Sequence, residues 1–206
     1  MVTITNKVAE ALYQSGCIKF GNFKIKSGAL SPYYIDLAGL LSSPHAFCEI
    51  VEIAADIVKQ VMGFDRITKL ASIELKGALI IPSIACKVGI PCLVVRKENK
   101  AYGVTGRLAG APLNSDDCVL FFDDVLSEGS SKLEGLKFIE ASGAIVRHIL
   151  VVVDREQGGK ESLEKLGYNV HALAKISELT RVLFNYGWIL KDQADAVLTY
   201  VNKKLV

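Results

Sequence analysis

Short apolar runs that stop at charged residues constrain the fold of this chain most strongly. CVLFF (118–122) and ILVVV (149–153) are the longest of them, and both are far shorter than the roughly 20 residues that a membrane-spanning helix needs. Uninterrupted apolar runs of this length are typical of strands buried on both faces of a parallel sheet. We predict five strands, at 66–72, 91–96, 118–122, 145–153 and 168–173.

Helical segments alternate with these strands, which favours an α/β fold with a mainly parallel sheet flanked by helices. The helices are predicted at 5–15, 43–63, 78–88, 131–142 and 160–166, and two more within 177–204. A chain of 206 residues suits one domain. We divide this domain into an N-terminal segment of irregular or hairpin strands (1–40), an α/β core (41–175) and C-terminal helices (176–206).

The composition limits the partners and the compartment. There are 24 Lys and Arg against 22 Asp and Glu, a net charge of +2, which is too balanced for binding nucleic acid by bulk charge. The N-terminus lacks the apolar block of a secretory leader. Five cysteines without a C-x-x-C pair indicate reduced core thiols in a cytoplasmic protein. We therefore expect a cytoplasmic location, with neither nucleic acid nor a membrane as a partner.

Charged residues follow four of the predicted strands. In parallel sheets, ligands bind beyond the carboxyl ends of the strands, so these exits are the candidate site. The exits are Glu74-Leu75-Lys76-Gly77, Arg96-Lys97, Asp123-Asp124 and Asp154-Arg155. Four charged exits together indicate a polar ligand that carries phosphate.

The exit after CVLFF is the most informative one. Asp123 and Asp124 precede a Ser/Gly loop (127–131) that enters a helix, and Ser131 with Glu134 fits a capping box. Backbone N–H groups and the helix dipole favour an anion at such a loop, while the carboxylates suit sugar hydroxyls, a metal ion or a developing positive charge. The alternative is an ordinary strand–loop–helix crossover with solvated acids.

These residues resemble a known family. FFDDVLSEGSS (121–131) is similar to the 5-phosphoribosyl 1-pyrophosphate (PRPP) signature of the type I phosphoribosyltransferases. FGNFKIKSGALSPYYID (20–36), VVRKENKAYGVTGRLAG (94–110) and VVVDREQGG (151–159) resemble segments of the orotate phosphoribosyltransferases, in the family's order. The resemblance implies the type I phosphoribosyltransferase fold with a small N-terminal hood.

The resemblance also implies an activity. The expected enzyme is a pentosyltransferase that moves ribose 5-phosphate from PRPP to orotate, giving orotidine 5′-monophosphate and pyrophosphate in pyrimidine (UMP) biosynthesis. Mg²⁺ would be carried mainly by PRPP, near Asp123 and Asp124. A phosphoribosyltransferase for another base, or a regulator of the same fold that senses PRPP or nucleotides, remains an alternative.

The family pattern assigns site residues by position. The catalytic residues are Lys100, Asp123 and Asp124, and the orotate-binding residues are Lys26, Tyr34, Ile35, Ser127 and Arg155. The PRPP-binding residues are Lys26, Lys76, Arg96, Lys97, Lys100, Tyr102, Asp123, Asp124, Val125, Leu126, Ser127, Glu128, Gly129, Ser130 and Ser131. Arginine matches a carboxylate with two parallel hydrogen bonds, although Arg155 has Asp154 and Glu156 beside it as alternative ion-pair partners.

Four positions depart from the family pattern. Glu74 adds a negative charge near the polyanionic pyrophosphate, so its side chain either points away or approaches the magnesium. Tyr102 stands where the family commonly has histidine, and a phenol carries no positive charge at neutral pH. Leu75 replaces a frequent tyrosine. Glu128 lies within the phosphate loop, where we expect its side chain to point outward.

Residues 96–107 form a basic segment with two glycines. Arg96, Lys97, Lys100 and Arg107 oppose only Glu98, a local charge of +3. We predict a mobile loop that closes over the leaving pyrophosphate, and the resemblance implies a homodimer in which this loop is shared with the neighbouring subunit. The alternative is a solvated, charged loop.

Overall fold

The computed structural model describes residues 2–25, 28–100 and 106–204, and it describes residues 99, 100, 131 and 204 by their backbone alone. The elements are α1 (Ile4–Gln14), β1 (Ile18–Lys24), β2 (Leu30–Ile35), a 3₁₀ helix (Leu37–Ser42), α2 (Pro44–Met62), β3 (Lys69–Ile73), α3 (Lys76–Val88), β4 (Cys92–Lys100), β5 (Gly106–Gly110), β6 (Cys118–Leu126), α4 (Ser130–Glu140), β7 (Ile145–Asp154), α5 (Gly159–Lys165), β8 (Asn169–Lys175), α6 (Ile176–Asn185) and α7 (Lys191–Lys204).

The main sheet has six strands in the order β5-β4-β3-β6-β7-β8. Neighbouring strands are parallel except β4 and β5, which pair antiparallel. All five predicted strands are present, and the mainly parallel α/β fold is confirmed. The chain leaves β3 towards β4 and leaves β6 towards β7, so the strand order reverses between β3 and β6. Ligands bind at such a switch point.

Apolar side chains fill both faces of this sheet. Phe122 and Val152 belong to the core beneath α1, α2, α3, α6 and α7, whereas Phe121 and Val151 belong to the core beneath α4 and α5. Successive side chains of a strand point to opposite faces. Because both faces are covered, the central strands read as uninterrupted apolar runs.

The N-terminal segment predicted as the hood (1–40) contains the antiparallel hairpin of β1 and β2, in which Ile18 pairs with Ile35. The burial of β2 alternates: Ser31 and Tyr33 are buried, and Tyr34 is 42% exposed. The 3₁₀ helix then leads into α2, whose first residue is Pro44. Proline suits this position because its missing N–H has no intrahelical acceptor there.

Two predictions are wrong in part: that residues 96–107 form a loop, and that the cysteines lie in the core. The described flanks of the predicted mobile loop are strands, because β4 continues to Lys100, which pairs with Gly106 at the start of β5. Cys48 and Cys86 are exposed on the helices that cover the sheet, so the core placement holds for Cys17 but not for them. None of the helices in the described residues combines the length and apolar character needed to cross a bilayer.

Candidate active site

The acidic pair lies inside β6, near its carboxyl end, rather than after the strand as predicted, because β6 continues to Leu126. A buried lysine holds the first carboxylate of the pair. Asp123 is only 5% exposed, and its Oδ2 lies 2.7 Å from Nζ of Lys132, in the first turn of α4. Lys132 also donates to the carbonyl of Val125 at 2.5 Å. This lysine therefore ties the strand end to the following helix. Lys132 was not among the residues predicted from the sequence, because a lysine near a helix start is usually solvated.

Asp124 has the most perturbed environment of the pair. The pKa of Asp124 is raised to about 6, mainly by burial and then by the negative charge of Asp123, while the charges of Lys132 and Lys76 act in the opposite direction. The main-chain N–H of Asp124 donates to Oδ1 of Asp123 at 2.9 Å, which orients the Asp123 carboxylate against the main chain of its neighbour. The pair can accept hydrogen bonds from hydroxyl groups or approach a cation.

The loop after the acids presents the start of α4 to the same edge. Gly129 caps the helix with a φ of +86°, a conformation that favours glycine. The predicted capping box is therefore wrong: no side chain caps α4, and Glu134 accepts from Nη2 of Arg107 at 2.7 Å. The first N–H groups of a helix lack intrahelical acceptors, so this turn suits an anion. Glu128 is exposed.

A second glycine fixes this loop from the neighbouring crossover. The N–H of Gly159, at the start of α5, donates to the carbonyl of Ser127 at 3.0 Å. A Cβ at Gly159 would lie 2.2 Å from that same oxygen, so only glycine allows the close approach. The loop is thus held both by α4 and by α5.

The start of α3 lies against the acidic pair. A Cβ at Gly77 would lie 2.3 Å from Oγ of Ser72 and 2.8 Å from Oδ1 of Asp123. Nζ of Lys76 pairs with Asp36 of the hood at 3.1 Å. Burial lowers the pKa of Lys76, but the hydrogen bond to Asp36 and the charge of Asp124 outweigh it, so that the pKa lies above its ordinary value.

Glu74 has a structural contact at the same strand exit. Its Oε2 accepts the backbone N–H of Lys97 at 3.1 Å, so the carboxylate is bound to β4. Leu75 follows through a cis peptide bond and is exposed. Lys97 is exposed as well.

The arginines of the β4–β5 hairpin make contacts within the fold. Nη1 of Arg96 donates to the carbonyl of Gly106 at 3.0 Å, and Nε of Arg107 donates to the carbonyl of Arg96 at 2.9 Å. Arg107 also lies over the ring of Phe138 at 5.0 Å. Since Arg107 binds Glu134 too, its charge is used to attach the hairpin to α4.

Arg155 lies beyond β7, between the hood and the phosphate loop. Its Nε donates to Oη of Tyr33 at 3.0 Å, and its Nη1 lies 3.4 Å from Oγ of Ser127. The alternative ion pairs are absent among the described residues. Asp154 instead accepts the N–H of Glu156 at 2.8 Å, and Glu156 accepts a backbone N–H of α6 at 2.9 Å.

Tyr34 and Ile35 occupy adjacent positions of β2, so their side chains point to opposite faces. The ring of Tyr34 lies 5.7 Å from that of Phe23, while Ile35 packs against the core. The two could contact one ligand only if one of them used its backbone. Tyr33 was not predicted as a site residue, although it faces inward and the period-two alternation of the strand is a signal that identifies it.

The structure brings some of the predicted residues together, and others lie outside the residues that it describes. The exits at Lys76, Asp123–Ser130 and Arg155 meet at the carboxyl edge of the sheet, where Val125 and Leu126 supply carbonyls to Lys132 and to the N–H of Arg155. Lys26 and Tyr102 lie outside the described residues, and the side chains of Lys100 and Ser131 do as well. Within the described ranges, no group of three or more His, Cys, Asp or Glu side chains is placed to hold a metal ion.

The fold and this site together define a class of enzyme. No protein-family model matches the chain. The solved structure of UMP synthase from Leishmania donovani superposes with a TM-score of 0.86 at 29% sequence identity, over 97% of this chain and 42% of that one. The parallel sheet with an acidic pair that enters a Ser/Gly loop is the architecture of a type I phosphoribosyltransferase.

Sequence relatives identify the family. An orotate phosphoribosyltransferase of Pyrococcus horikoshii is 35% identical over 190 residues, which cover 92% of this chain and 98% of the relative. The chain belongs to the orotate phosphoribosyltransferase family. The bifunctional enzyme PyrF/PyrE of Nostoc sp. is 39% identical over 182 residues, and there the match covers 88% of this chain but only 37% of that longer protein.

Proposed function

We propose that this chain transfers ribose 5-phosphate from PRPP to a ring nitrogen of orotate, giving orotidine 5′-monophosphate and pyrophosphate. One observation carries the proposal: the acidic pair, the start of α4 and the guanidinium of Arg155 converge at the switch point of the sheet. Two ligands match this set of groups: one that carries a phosphate and a sugar diol, and a second one that carries a carboxylate.

In the proposed complex, PRPP lies across the exits of β3 and β6. The N–H groups of 127–131 bind the 5′-phosphate, and Asp123 and Asp124 accept from the ribose hydroxyls. Lys76, Arg96, Lys97, Lys100 and Tyr102 are the candidates for the pyrophosphate. The carboxylate of Asp123 would have to bind a ribose hydroxyl and Lys132 at the same time, because it already pairs with Lys132.

Orotate lies between the hood and the exit of β7. Arg155 binds its carboxylate, and the nearby Oγ of Ser127 contributes a hydrogen bond. Lys26 and the Tyr34–Ile35 segment line the ring. The contact between Arg155 and Tyr33 supports this arrangement, because it places a guanidinium beside the hood rather than on a neighbouring acid.

Catalysis then depends on orientation and electrostatics. The bond between the anomeric carbon and pyrophosphate breaks as the ring nitrogen of orotate attacks, and positive charge develops on the sugar. The nitrogen releases its proton to water or to the leaving pyrophosphate as the new bond forms. The carboxylates of Asp123 and Asp124 stabilise this charge, and Lys100 neutralises the leaving pyrophosphate. Lys100→Ala is therefore expected to lower kcat much more than PRPP affinity. Equal, small changes in both would contradict a catalytic lysine.

Mg²⁺ fits this donor set as a substrate-bound ion. It prefers oxygen ligands and usually keeps several waters, binding few protein groups. We propose that PRPP oxygens would hold it, near Asp123 and Asp124. The ion would supply charge neutralisation at the pyrophosphate.

We also propose a cytoplasmic homodimer in which the segment around Lys100 reaches the partner's site. The hood (1–40), core (41–175) and C-terminal helices (176–206) then act as one domain. Mixing Lys100→Ala with Arg155→Ala protein tests the shared site. Partial recovery of activity on mixing supports it, and activity equal to the sum of the separate variants contradicts it.

An absorbance assay tests the activity itself. Purified protein with orotate, PRPP and Mg²⁺ should consume orotate, and omission of PRPP should stop the reaction. Folded protein that leaves orotate unchanged would refute the proposed function. Consumption of another base in place of orotate would reassign the substrate.

A further inference from the structure

Tyr33 joins the hood to the arginine that faces the orotate position. Its Oη accepts the Nε–H of Arg155 at 3.0 Å, and the guanidinium carbon lies 4.9 Å from the centre of its ring. The ring is fully buried, with 0% exposure. A long, flexible arginine side chain therefore has one of its donors fixed by a rigid group.

Tyr33 is itself held in one position. It pairs with Phe20 in the hood hairpin, and the ring of Tyr200 from α7 meets its ring edge-on at 6.1 Å. Burial raises the pKa of Tyr33, so its hydroxyl stays protonated at neutral pH. These contacts leave the tyrosine little freedom to follow Arg155 if the arginine moved.

The hydrogen bond also determines which donors of Arg155 remain for a ligand. Tyr33 takes Nε, and Nη1 lies near Oγ of Ser127. The terminal Nη1 and Nη2 groups therefore form the end of the guanidinium that can meet a carboxylate with two parallel hydrogen bonds.

We propose that Tyr33 is a positioning residue that orients the guanidinium of Arg155 towards the carboxylate of orotate. The inference rests on the proposed function, because it concerns the same orotate site. It makes the hood a determinant of substrate recognition through a residue that does not itself touch orotate.

Kinetics of Tyr33→Phe, Arg155→Ala and the double variant test the inference. Tyr33→Phe keeps the ring and removes the hydroxyl, so kcat/KM for orotate should fall about 10-fold, as expected for a lost hydrogen bond to a charged group. The KM for PRPP should stay within about twofold. In the Arg155→Ala background, Tyr33→Phe should change nothing further, because its effect acts through Arg155.

Tyr200→Phe is the matched control. It removes another buried phenol hydroxyl from the same ring pair, and that hydroxyl has no hydrogen-bond partner among the described residues. Its kinetics should equal those of the wild type. Exchange of the Arg155 Nε–H, followed by NMR without orotate, should be slow in the wild type and in Tyr200→Phe but fast in Tyr33→Phe.

The outcomes separate this inference from the proposed function. Wild-type kinetics in Tyr33→Phe, an equal loss in the Arg155→Ala background, or unchanged Nε–H exchange would each overturn the role of Tyr33 while the enzyme still consumes orotate. Failure of the wild type to consume orotate would overturn the proposed function, and the orotate part of this inference with it.

Discussion

Replacement of Lys132 by methionine should destabilise the protein severely. The side chains of Lys132 and Asp123 are each only 7% exposed and lie 2.7 Å apart. Methionine keeps most of the volume but leaves the Asp123 carboxylate buried without its cation. Breaking a buried ion pair in this way costs about 3–5 kcal/mol. For a protein of this size, that loss lowers Tm by about 6–20 °C.

Urea unfolding followed by circular dichroism measures this loss, with Lys137→Met as the control. Lys137 lies on the same helix but is exposed, so its replacement should cost less than about 1 kcal/mol. Adding Asp123→Asn to Lys132→Met removes the uncompensated charge, and the double variant should lose about 1–3 kcal/mol less than the sum of the singles. Equal, small losses for Lys132→Met and Lys137→Met would refute the reasoning.

Three further substitutions test two close glycine contacts and one carboxyl group with a raised pKa. Gly159→Ala would place a Cβ 2.2 Å from the carbonyl of Ser127, so calorimetric titration should show PRPP affinity falling at least about 10-fold as the loop shifts, and unchanged affinity would contradict this close packing. Gly77→Ala would place a Cβ 2.8 Å from Oδ1 of Asp123; steady-state kinetics should show a lower kcat/KM for PRPP, and wild-type values would mean that the start of α3 is free to move. The folded-state pKa of Asp124, about 6, lies above its ordinary 3.8, so its ionisation opposes folding above that pKa and ceases to do so as the pH falls below the ordinary value. Asp124→Asn should therefore unfold at higher urea than the wild type above the pKa, lose this advantage in acid and lack activity; a gain that grows in acid would contradict the assignment.

The central strands could be predicted from the sequence because both faces of the sheet are covered. Phe121 and Phe122 are both buried, on opposite faces, and so read as one apolar run. β5 could not be found in this way. Its residues 106–110 are only partly buried and begin and end with glycine, so they lack both the continuous apolar run and a clear alternation.

The site was predictable where charged residues directly follow an uninterrupted apolar run, although the strand itself continues past the acidic pair to Leu126. Asp123, Asp124 and Arg155 could be placed at the carboxyl edge from the strand pattern alone. Lys132 could not, because its burial depends on how α4 meets the end of β6, which is a tertiary contact. Tyr33 was within reach, since alternation along β2 places it opposite the exposed Tyr34.

Two of the four arginines and lysines in the 96–107 segment have contacts that sequence reasoning did not predict. Arg96 and Arg107 bind backbone carbonyls across the β4–β5 hairpin, and Arg107 also pairs with Glu134 of α4. A count of charges along a segment cannot distinguish a cation that faces a ligand from one that holds a hairpin. The proposed contact with pyrophosphate therefore depends most on Lys97 and Lys100.

The central claim is that this site joins the ribose 5-phosphate of PRPP to orotate. Mass spectrometry of a reaction containing the pure protein, orotate, PRPP and Mg²⁺ tests it most directly. We expect orotidine 5′-monophosphate and pyrophosphate in equal amounts, with neither formed by Asp124→Asn. Conversion of PRPP to free ribose 5-phosphate and pyrophosphate, with orotate unchanged, would contradict it.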